Sequence, residues 1–98
     1  MKKVILHVSY HCKSEKDAGD FVRAIKASGV QGTVRAEDGC QRYDYYFSES
    51  DQNELLLIEA WETKRHQEIH IEQPHMARLR AFKADYIEET TLREFELK

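Results

Sequence analysis

The sequence has little proline, cysteine or glycine: one proline, two cysteines and four glycines in 98 residues. Cys12 and Cys40 have no CxxC or similar metal-ligand spacing, which disfavours a cysteine metal site, and a disulfide is not expected without an export signal. No apolar run is long enough for a membrane span or for the core of a signal peptide. We therefore predict a cytoplasmic protein that has no membrane partner.

An excess of charge of one sign is also lacking. Charged residues make up 34% of the chain, but the net charge is only −3, so nucleic acid is not an expected partner. There is no glycine-rich phosphate loop and no Rossmann fingerprint, which disfavours a nucleotide or flavin cofactor. A chain of this length organises a single core, so we predict one domain over residues 1–98.

Hydrophobic periodicity predicts four strands and up to four helices. The first helix follows Ser14, where Ala18, Phe21, Val22 and Ile25 recur at helical spacing. Pro74 suits the first turn of the last helix, whose inward residues include Met76 and Leu79. The predicted strands are 3–10, 41–48, 54–61 and 85–97, and the predicted helical segments are 14–28, 30–37, 63–72 and 74–83. This order predicts an α+β fold of the ferredoxin-like, split βαβ type, with one antiparallel sheet and helices on one face.

The strand at 54–61, ELLLIEAW, has apolar side chains on both faces. Its alternation places Glu59 and Trp61 with Leu55 and Leu57 on one face, and leaves Leu56, Ile58 and Ala60 on the other. A small domain covers one face of its sheet with its own helices, and the other face usually needs a second subunit. The strand therefore predicts a homodimer.

Glu59 is a carboxylate on an otherwise apolar strand face. Such a group loses hydration, so either its pKa rises and it can accept a proton near neutral pH, or hydrogen bonds hold it as a structural residue. The sequence leaves both alternatives open.

Histidines cluster after this strand. His66 and His70 are four residues apart on a predicted helix, a spacing that can bind zinc, but no third ligand is evident and the HExxH motif is absent, so no metal is expected. We interpret His66 as a surface residue and His75 as part of a helix junction. His70 is expected to face the sheet, either packed or as an acid/base group, and His7 poses the same alternatives on the first strand.

Three segments together resemble the antibiotic biosynthesis monooxygenase (ABM) domain family, and in particular its small quinol monooxygenase-like members. They are EDGCQRY (37–43), LIEAWE (57–62) and HIEQPHM (70–76). In this family a GC-x-x-Y turn and strand is followed by E-x-W and then by H-x-x-x-PH. The resemblance covers 37 to the C-terminus.

The resemblance implies a dimeric α+β barrel built from two ferredoxin-like sheets, with a pocket between sheet and helices in each subunit. Family members oxidise quinols and similar hydroxylated aromatics with O2, without flavin, metal or haem. A pocket that removes a phenolic proton leaves an electron-rich anion that can itself reduce O2, so the protein supplies a base, an apolar enclosure and a donor for oxyanion charge.

Position by position, the resemblance assigns three catalytic candidates. Glu59 and Trp61 match E-x-W, as an orienting or proton-accepting group and a pocket wall, and His70 matches the first histidine of H-x-x-x-PH, as a base or oxyanion partner. The expected substrate-pocket residues are His7, Phe21, Tyr45, Met76 and Leu79.

The same family offers an alternative function. Some members bind or isomerise small molecules without oxygenation, and others bind haem. The haem-degrading relatives carry an asparagine on the first strand where this chain has His7, which lowers the weight of the haem interpretation. The fold alone does not fix the reaction.

Overall fold

The computed structural model describes residues 2–97 and contains one antiparallel sheet covered by helices. The strands are β1 (Lys3–Cys12), β2 (Cys40–Phe47), β3 (Glu54–Trp61) and β4 (Ile87–Leu97); the helices are α1 (Glu15–Ser28), α2 (Val30–Arg35), α3 (Lys64–Ile71) and α4 (Pro74–Lys83). The strand order is β2-β3-β1-β4. The predicted α+β, ferredoxin-like fold is confirmed, with element ends within about two residues of those expected.

The core lies between the sheet and the helices. Alternate residues of β1 and β3 face the helices, since side chains alternate along a strand, and they are almost completely buried. The apolar members of this layer include Val4, Leu6, Val8, Tyr10, Leu55, Leu57 and Trp61. Helix α1 covers them with Ala18, Phe21, Val22 and Ile25, the four residues that the helical spacing predicted.

Local signals set the helix ends. The Ser14 hydroxyl accepts a hydrogen bond from the backbone N–H of Asp17 at 3.0 Å, and Gly29 ends α1 in the left-handed conformation with φ 77°. Thr63 caps α3 in the same way, accepting from the backbone N–H of His66. Pro74 occupies the first turn of α4, where its missing N–H costs no helical hydrogen bond.

Gly39 forms the turn before β2 and lies against His66. Its φ is 81°, and a β-carbon at this position would lie 2.3 Å from Cγ of His66. The imidazole is therefore partly covered by the turn, and its side chain is only 22% exposed. His66 is therefore partly buried, which corrects the expectation that it lies on the surface.

Replacing Gly39 by Ala is expected to destabilise the protein more than the matched change at Gly29. Both glycines have a positive φ, which costs an alanine about 1–2 kcal/mol, but a β-carbon at Gly29 meets nothing within 4 Å. Urea denaturation of the two variants measures the difference. Equal losses of unfolding free energy in the two variants would contradict this expectation, because they would show that the turn can move to accommodate the β-carbon without disturbing the packing of His66.

On the second face of the sheet, no helix of the described residues 2–97 is packed. This face presents Ile5 and His7 of β1, Ile58 of β3 and Phe95 of β4, which the strand register brings to the same side. The Phe95 ring is 40% exposed. Within residues 2–97, no helix combines the length and the apolar character needed to cross a membrane.

Candidate active site

Glu59 and Trp61 occupy the end of β3 on the helix-covered face. Trp61 is completely buried, and its indole Nε1 donates a hydrogen bond to Oε1 of Glu59 at 3.0 Å. Glu59 is 7% exposed. A carboxylate is thus held inside the core, and one of its acceptor positions is satisfied by the tryptophan.

The pKa of Glu59 is raised above its ordinary value. Burial is the main cause, because a charged carboxylate loses its hydration there, and the nearby Glu37 carboxylate raises the pKa further. The Trp61 hydrogen bond, His70 and Lys83 act in the opposite direction. The balance favours a Glu59 that takes up a proton more readily than an exposed glutamate.

His70 projects from α3 onto this pair and is 2% exposed. Its imidazole packs against the Trp61 indole with ring centroids 4.5 Å apart and planes tilted by 32°, while the edge of Tyr43 lies on another side. Nε2 of His70 lies 3.8 Å from Oε1 of Glu59. The structure therefore brings the three catalytic candidates into one cluster.

Glu37 and His75 complete the cluster, although neither was among the predicted site residues. Oε2 of Glu37 lies 2.8 Å from Nδ1 of His70 and 2.8 Å from Nε2 of His75. His75 is 8% exposed, so it is a buried partner of Glu37 and more than a helix junction. Its position four residues before the buried Leu79 was a usable signal, since residues at i and i+4 share a helix face. Glu37 lies in the turn just after α2, and its spacing of seven from Val30 and three from Val34 was also a usable signal, since both valines are buried.

Three tyrosines adjoin Glu59 from the sheet. Burial raises the pKa of Tyr10, Tyr43 and Tyr45, and the Glu59 carboxylate raises each of them further. The Tyr45 hydroxyl is buried without a hydrogen-bond partner among the described residues, and its ring lies edge-on to Phe21 at 6.0 Å. A buried phenol without a partner is a hydrogen-bond donor available to a bound molecule.

Lys83 is a further charged neighbour that sequence reasoning missed. Burial lowers the pKa of its ammonium, with Arg80 as a second cause, whereas Glu59 opposes this shift. Nζ lies 5.2 Å from the centroid of the Tyr10 ring. Its spacing from Met76 and Leu79, at i, i+3 and i+7 of α4, was a usable signal, because these positions share one helix face.

The predicted pocket residues divide between the two faces of the sheet. Phe21, Met76 and Leu79 are buried in the core between sheet and helices, and Tyr45 packs against it. His7 lies on the opposite face, where it pairs with Ile58 and its ring centroid is 5.1 Å from that of Phe95. This corrects the expectation that His7 lines the same pocket, because odd-numbered residues of β1 point away from the helices.

The interior of the cluster is closed by packing, and open cavities border only its margins, one of them, of about 380 Å³, at Tyr45. A cavity of about 590 Å³ is bounded by α1 and the β2–β3 loop, including Glu15, Arg23 and Phe47, and none of the predicted site residues lines it. Neither Glu59, whose pKa is raised, nor Tyr45 lines that cavity. A smaller cavity of about 230 Å³ reaches the cluster from outside and is lined by Glu37, Asp38, His66, Ile69 and Gln73.

Two groups of side chains have the donor types of a metal site. Donor atoms of Glu37, His70 and His75 lie within 4.8 Å of one another, as do those of His11, Asp51 and Glu54 near the surface. In the first group both histidine contacts to Glu37 are at 2.8 Å, an ordinary hydrogen-bond distance, so the three side chains satisfy one another without an ion.

The raised pKa of Glu59 predicts a pH-dependent stability. Folded Glu59 binds its proton more tightly than unfolded Glu59, so its contribution to the free energy of unfolding is present at acid pH and falls as pH rises through the folded pKa. Glu59→Gln removes this dependence. In urea denaturation the variant should therefore gain stability relative to wild type on going from about pH 5 to about pH 8. A difference that stays constant over this range would contradict the raised pKa.

Comparisons with known proteins agree with this architecture. The sequence model of the family described as "Antibiotic biosynthesis monooxygenase" matches residues 4–81. A curated protein of Mycobacterium tuberculosis, Rv0793, which is provisionally named as a monooxygenase, is 38% identical over 65 residues. That match covers 66% of this chain and 62% of Rv0793, so it spans less than two thirds of the relative.

Solved structures superpose over almost the whole chain. The structure of Rv0793 has a TM-score of 0.79 at 26% identity, covering 95% of this chain and 92% of that one. An antibiotic biosynthesis monooxygenase candidate from Nitrosomonas europaea has a TM-score of 0.81 at 24% identity, covering 94% and 95%. A Bacteroides thetaiotaomicron protein of unknown function has a TM-score of 0.84 at 21% identity, covering 98% of both chains.

The chain therefore belongs to the antibiotic biosynthesis monooxygenase family, as the match over residues 4–81 establishes.

Proposed function

We propose that the protein is a cofactor-independent monooxygenase that oxidises a quinol or a similar hydroxylated aromatic with O2. The observation that carries the proposal is the Glu59 carboxylate, buried at 7% exposure with a raised pKa, hydrogen-bonded to Trp61 and 3.8 Å from Nε2 of His70. This is the arrangement of a proton acceptor in a site that excludes water.

The first step in the proposed reaction is loss of a phenolic proton. The substrate O–H proton passes to Glu59 or to Nε2 of His70, and the oxygen keeps the bonding electron pair. The resulting anion is electron-rich and reduces O2, so the electrons come from the substrate. The Tyr45 hydroxyl, which is buried without a partner, would donate a hydrogen bond to the developing oxyanion.

Substrate entry requires side chains to move, because the cluster is packed. Phe21 and Tyr45 lie edge-on to each other, and Phe82 packs on the other side of Phe21 at 6.2 Å. Aromatic side chains at this position would supply the flat apolar walls that an aromatic ring needs. A bound quinol ring would take the place of some of these contacts between aromatic side chains.

Oxygen uptake with a panel of hydroquinones in chelator-treated buffer tests the proposal. Wild-type protein should consume O2 with at least one of them. Control reactions from which O2 has been removed without a chemical reductant should yield no oxidised hydroquinone. Absence of uptake with every hydroquinone from folded protein would refute the oxygenase function.

We also propose that the chain forms a homodimer through the uncovered face of the sheet, as the apolar face of β3 predicted. Ile58 lies at the centre of this face, beside His7, and Phe95 extends it onto β4. A contiguous apolar face of this kind is typical of a subunit contact. Two sheets packed face to face would enclose these residues.

Ile58→Glu is expected to convert the dimer to a monomer, because it places a charge in the middle of the contact. Leu92→Glu is the matched control: Leu92 is 57% exposed, but its pairing with Val8 puts it on the helix side of the sheet. Light scattering at micromolar concentration measures the mass. A monomeric wild type would contradict the proposed contact.

A further inference from the structure

The Glu37 carboxylate lies between two imidazoles. Its Oε2 is 2.8 Å from Nδ1 of His70 and 2.8 Å from Nε2 of His75. An ionised carboxylate only accepts hydrogen bonds, so both nitrogens must carry a hydrogen. In neutral His70 the hydrogen is then on Nδ1, and Nε2 keeps its lone pair.

This assignment decides which atom of His70 faces the reaction. Nε2, the nitrogen with the lone pair, lies 3.8 Å from Oε1 of Glu59. The Trp61 indole and the Tyr43 ring limit the imidazole on other sides, with centroid distances of 4.5 Å and 5.8 Å. They hold the ring in place but offer neither nitrogen a hydrogen-bond acceptor. Glu59 lies beyond hydrogen-bond distance of Nε2, whereas Glu37 is 2.8 Å from Nδ1, so Glu37 determines which nitrogen carries the hydrogen.

Glu37 also connects the cluster with the surface. The side chain of His70 is 3% exposed, whereas that of Glu37 is 12% exposed and lines the cavity of about 230 Å³ together with Asp38, His66, Ile69 and Gln73. A proton taken up in the buried site has no direct contact with water. His70 is, however, hydrogen-bonded to Glu37, which borders this cavity.

We infer that Glu37 is a positioning residue that fixes His70 with its hydrogen on Nδ1, and that it carries the substrate's proton from His70 to the surface cavity. The inference rests on the proposed deprotonation of a hydroxylated aromatic. His70 Nε2 gains the proton, directly or from Glu59, the Nδ1 hydrogen moves to Oε2 of Glu37, and Glu37 releases it to water. Nε2 then gives its proton to the oxygen that is reduced to water, and Glu37 returns a proton from the surface to Nδ1, which restores the starting form. His75 keeps Oε2 in line by donating the second hydrogen bond.

Nitrogen-15 NMR of the histidine side chains, on ligand-free wild-type protein at mildly alkaline pH, tests the positioning role without substrate. The expected result is a His70 ring protonated at Nδ1, the opposite of the form that free histidine favours. A His70 ring protonated at Nε2 would overturn the inference. This measurement needs no variant and does not depend on any oxygenase activity.

Glu37→Leu removes the hydrogen-bond acceptor and should shift His70 toward the Nε2-protonated form in the same NMR measurement. Glu37→Gln should lower kcat for oxygen uptake by about tenfold to a hundredfold while KM stays within about twofold. The control is Glu72→Gln, an exposed carboxylate at the end of the same helix as His70. A folded Glu37→Leu protein that keeps the Nδ1 hydrogen, or an unchanged kcat in Glu37→Gln, would overturn the inference. If wild type shows no oxygen uptake, the proposed reaction fails, whereas the NMR result still decides the positioning role.

Discussion

Glu59→Gln is expected to lower the rate of oxygen uptake by about a hundredfold to ten-thousandfold, the usual contribution of a positioned general base. Glutamine has nearly the same shape, and its carbonyl can still accept the hydrogen bond that Trp61 donates at 3.0 Å. The variant therefore loses the proton acceptor while the surrounding packing is retained. His70→Ala should fall into the same range, because it removes the imidazole that lies 3.8 Å from Glu59.

The control for this experiment is Glu54→Gln on the same strand. Glu54 is bound to His11 at 2.6 Å near the surface, at the opposite end of β3 from Trp61. Initial rates with an active hydroquinone, measured with an oxygen electrode, should be unaffected by the control. If Glu59→Gln retains more than about a tenth of the wild-type rate, Glu59 is not the proton acceptor.

Trp61→Ala is expected to lower the free energy of unfolding by about 3–5 kcal/mol, the range for truncating a buried aromatic residue. The side chain is completely buried and packs against His70 with ring centroids 4.5 Å apart. The change leaves a cavity and removes the hydrogen bond to Glu59. Both effects act on the same cluster.

Trp61→Phe separates these two effects. Phenylalanine retains most of the apolar contact with His70 but has no N–H, so the pKa of Glu59, which the Trp61 hydrogen bond lowers, should rise further. We expect a smaller stability loss than for alanine, measured by urea denaturation, and a pH–rate profile displaced to higher pH. A loss below about 1 kcal/mol for Trp61→Ala would contradict the packing described for this residue.

Sequence periodicity predicted most of the fold, because the signals are local. The side chain of Ser14 caps α1 and the left-handed Gly29 ends it, as the order of residue types indicated. The alternation along β3 placed Glu59 and Trp61 on one side of the strand, and the structure has both there. These features depend on residues a few positions apart.

The remainder of the cluster depends on residues far apart in the sequence. Helical spacing from Val34 puts Glu37 on the inward side, but it cannot show which side chains Glu37 meets there. Glu37 meets His70 and His75 from 33 and 38 positions away, so its role appears only when the packing of α3 and α4 is known. His7 was assigned to the pocket by the family resemblance, whereas the register of β1 puts it on the other face of the sheet.

The strand order has a kinetic consequence. β1 pairs with β3 and also with β4, in a register that sets Lys3 opposite Leu97, so the central strand is completed only by the last part of the chain. Closing loops of this length costs chain entropy before the contacts can form, and domains rich in such contacts fold more slowly than helical bundles. The Glu37–His70–Glu59 cluster likewise joins separate segments: the turn after α2, helix α3 and strand β3. Oxygen consumption should therefore return during refolding with the final, global phase, and a partly folded chain should have none.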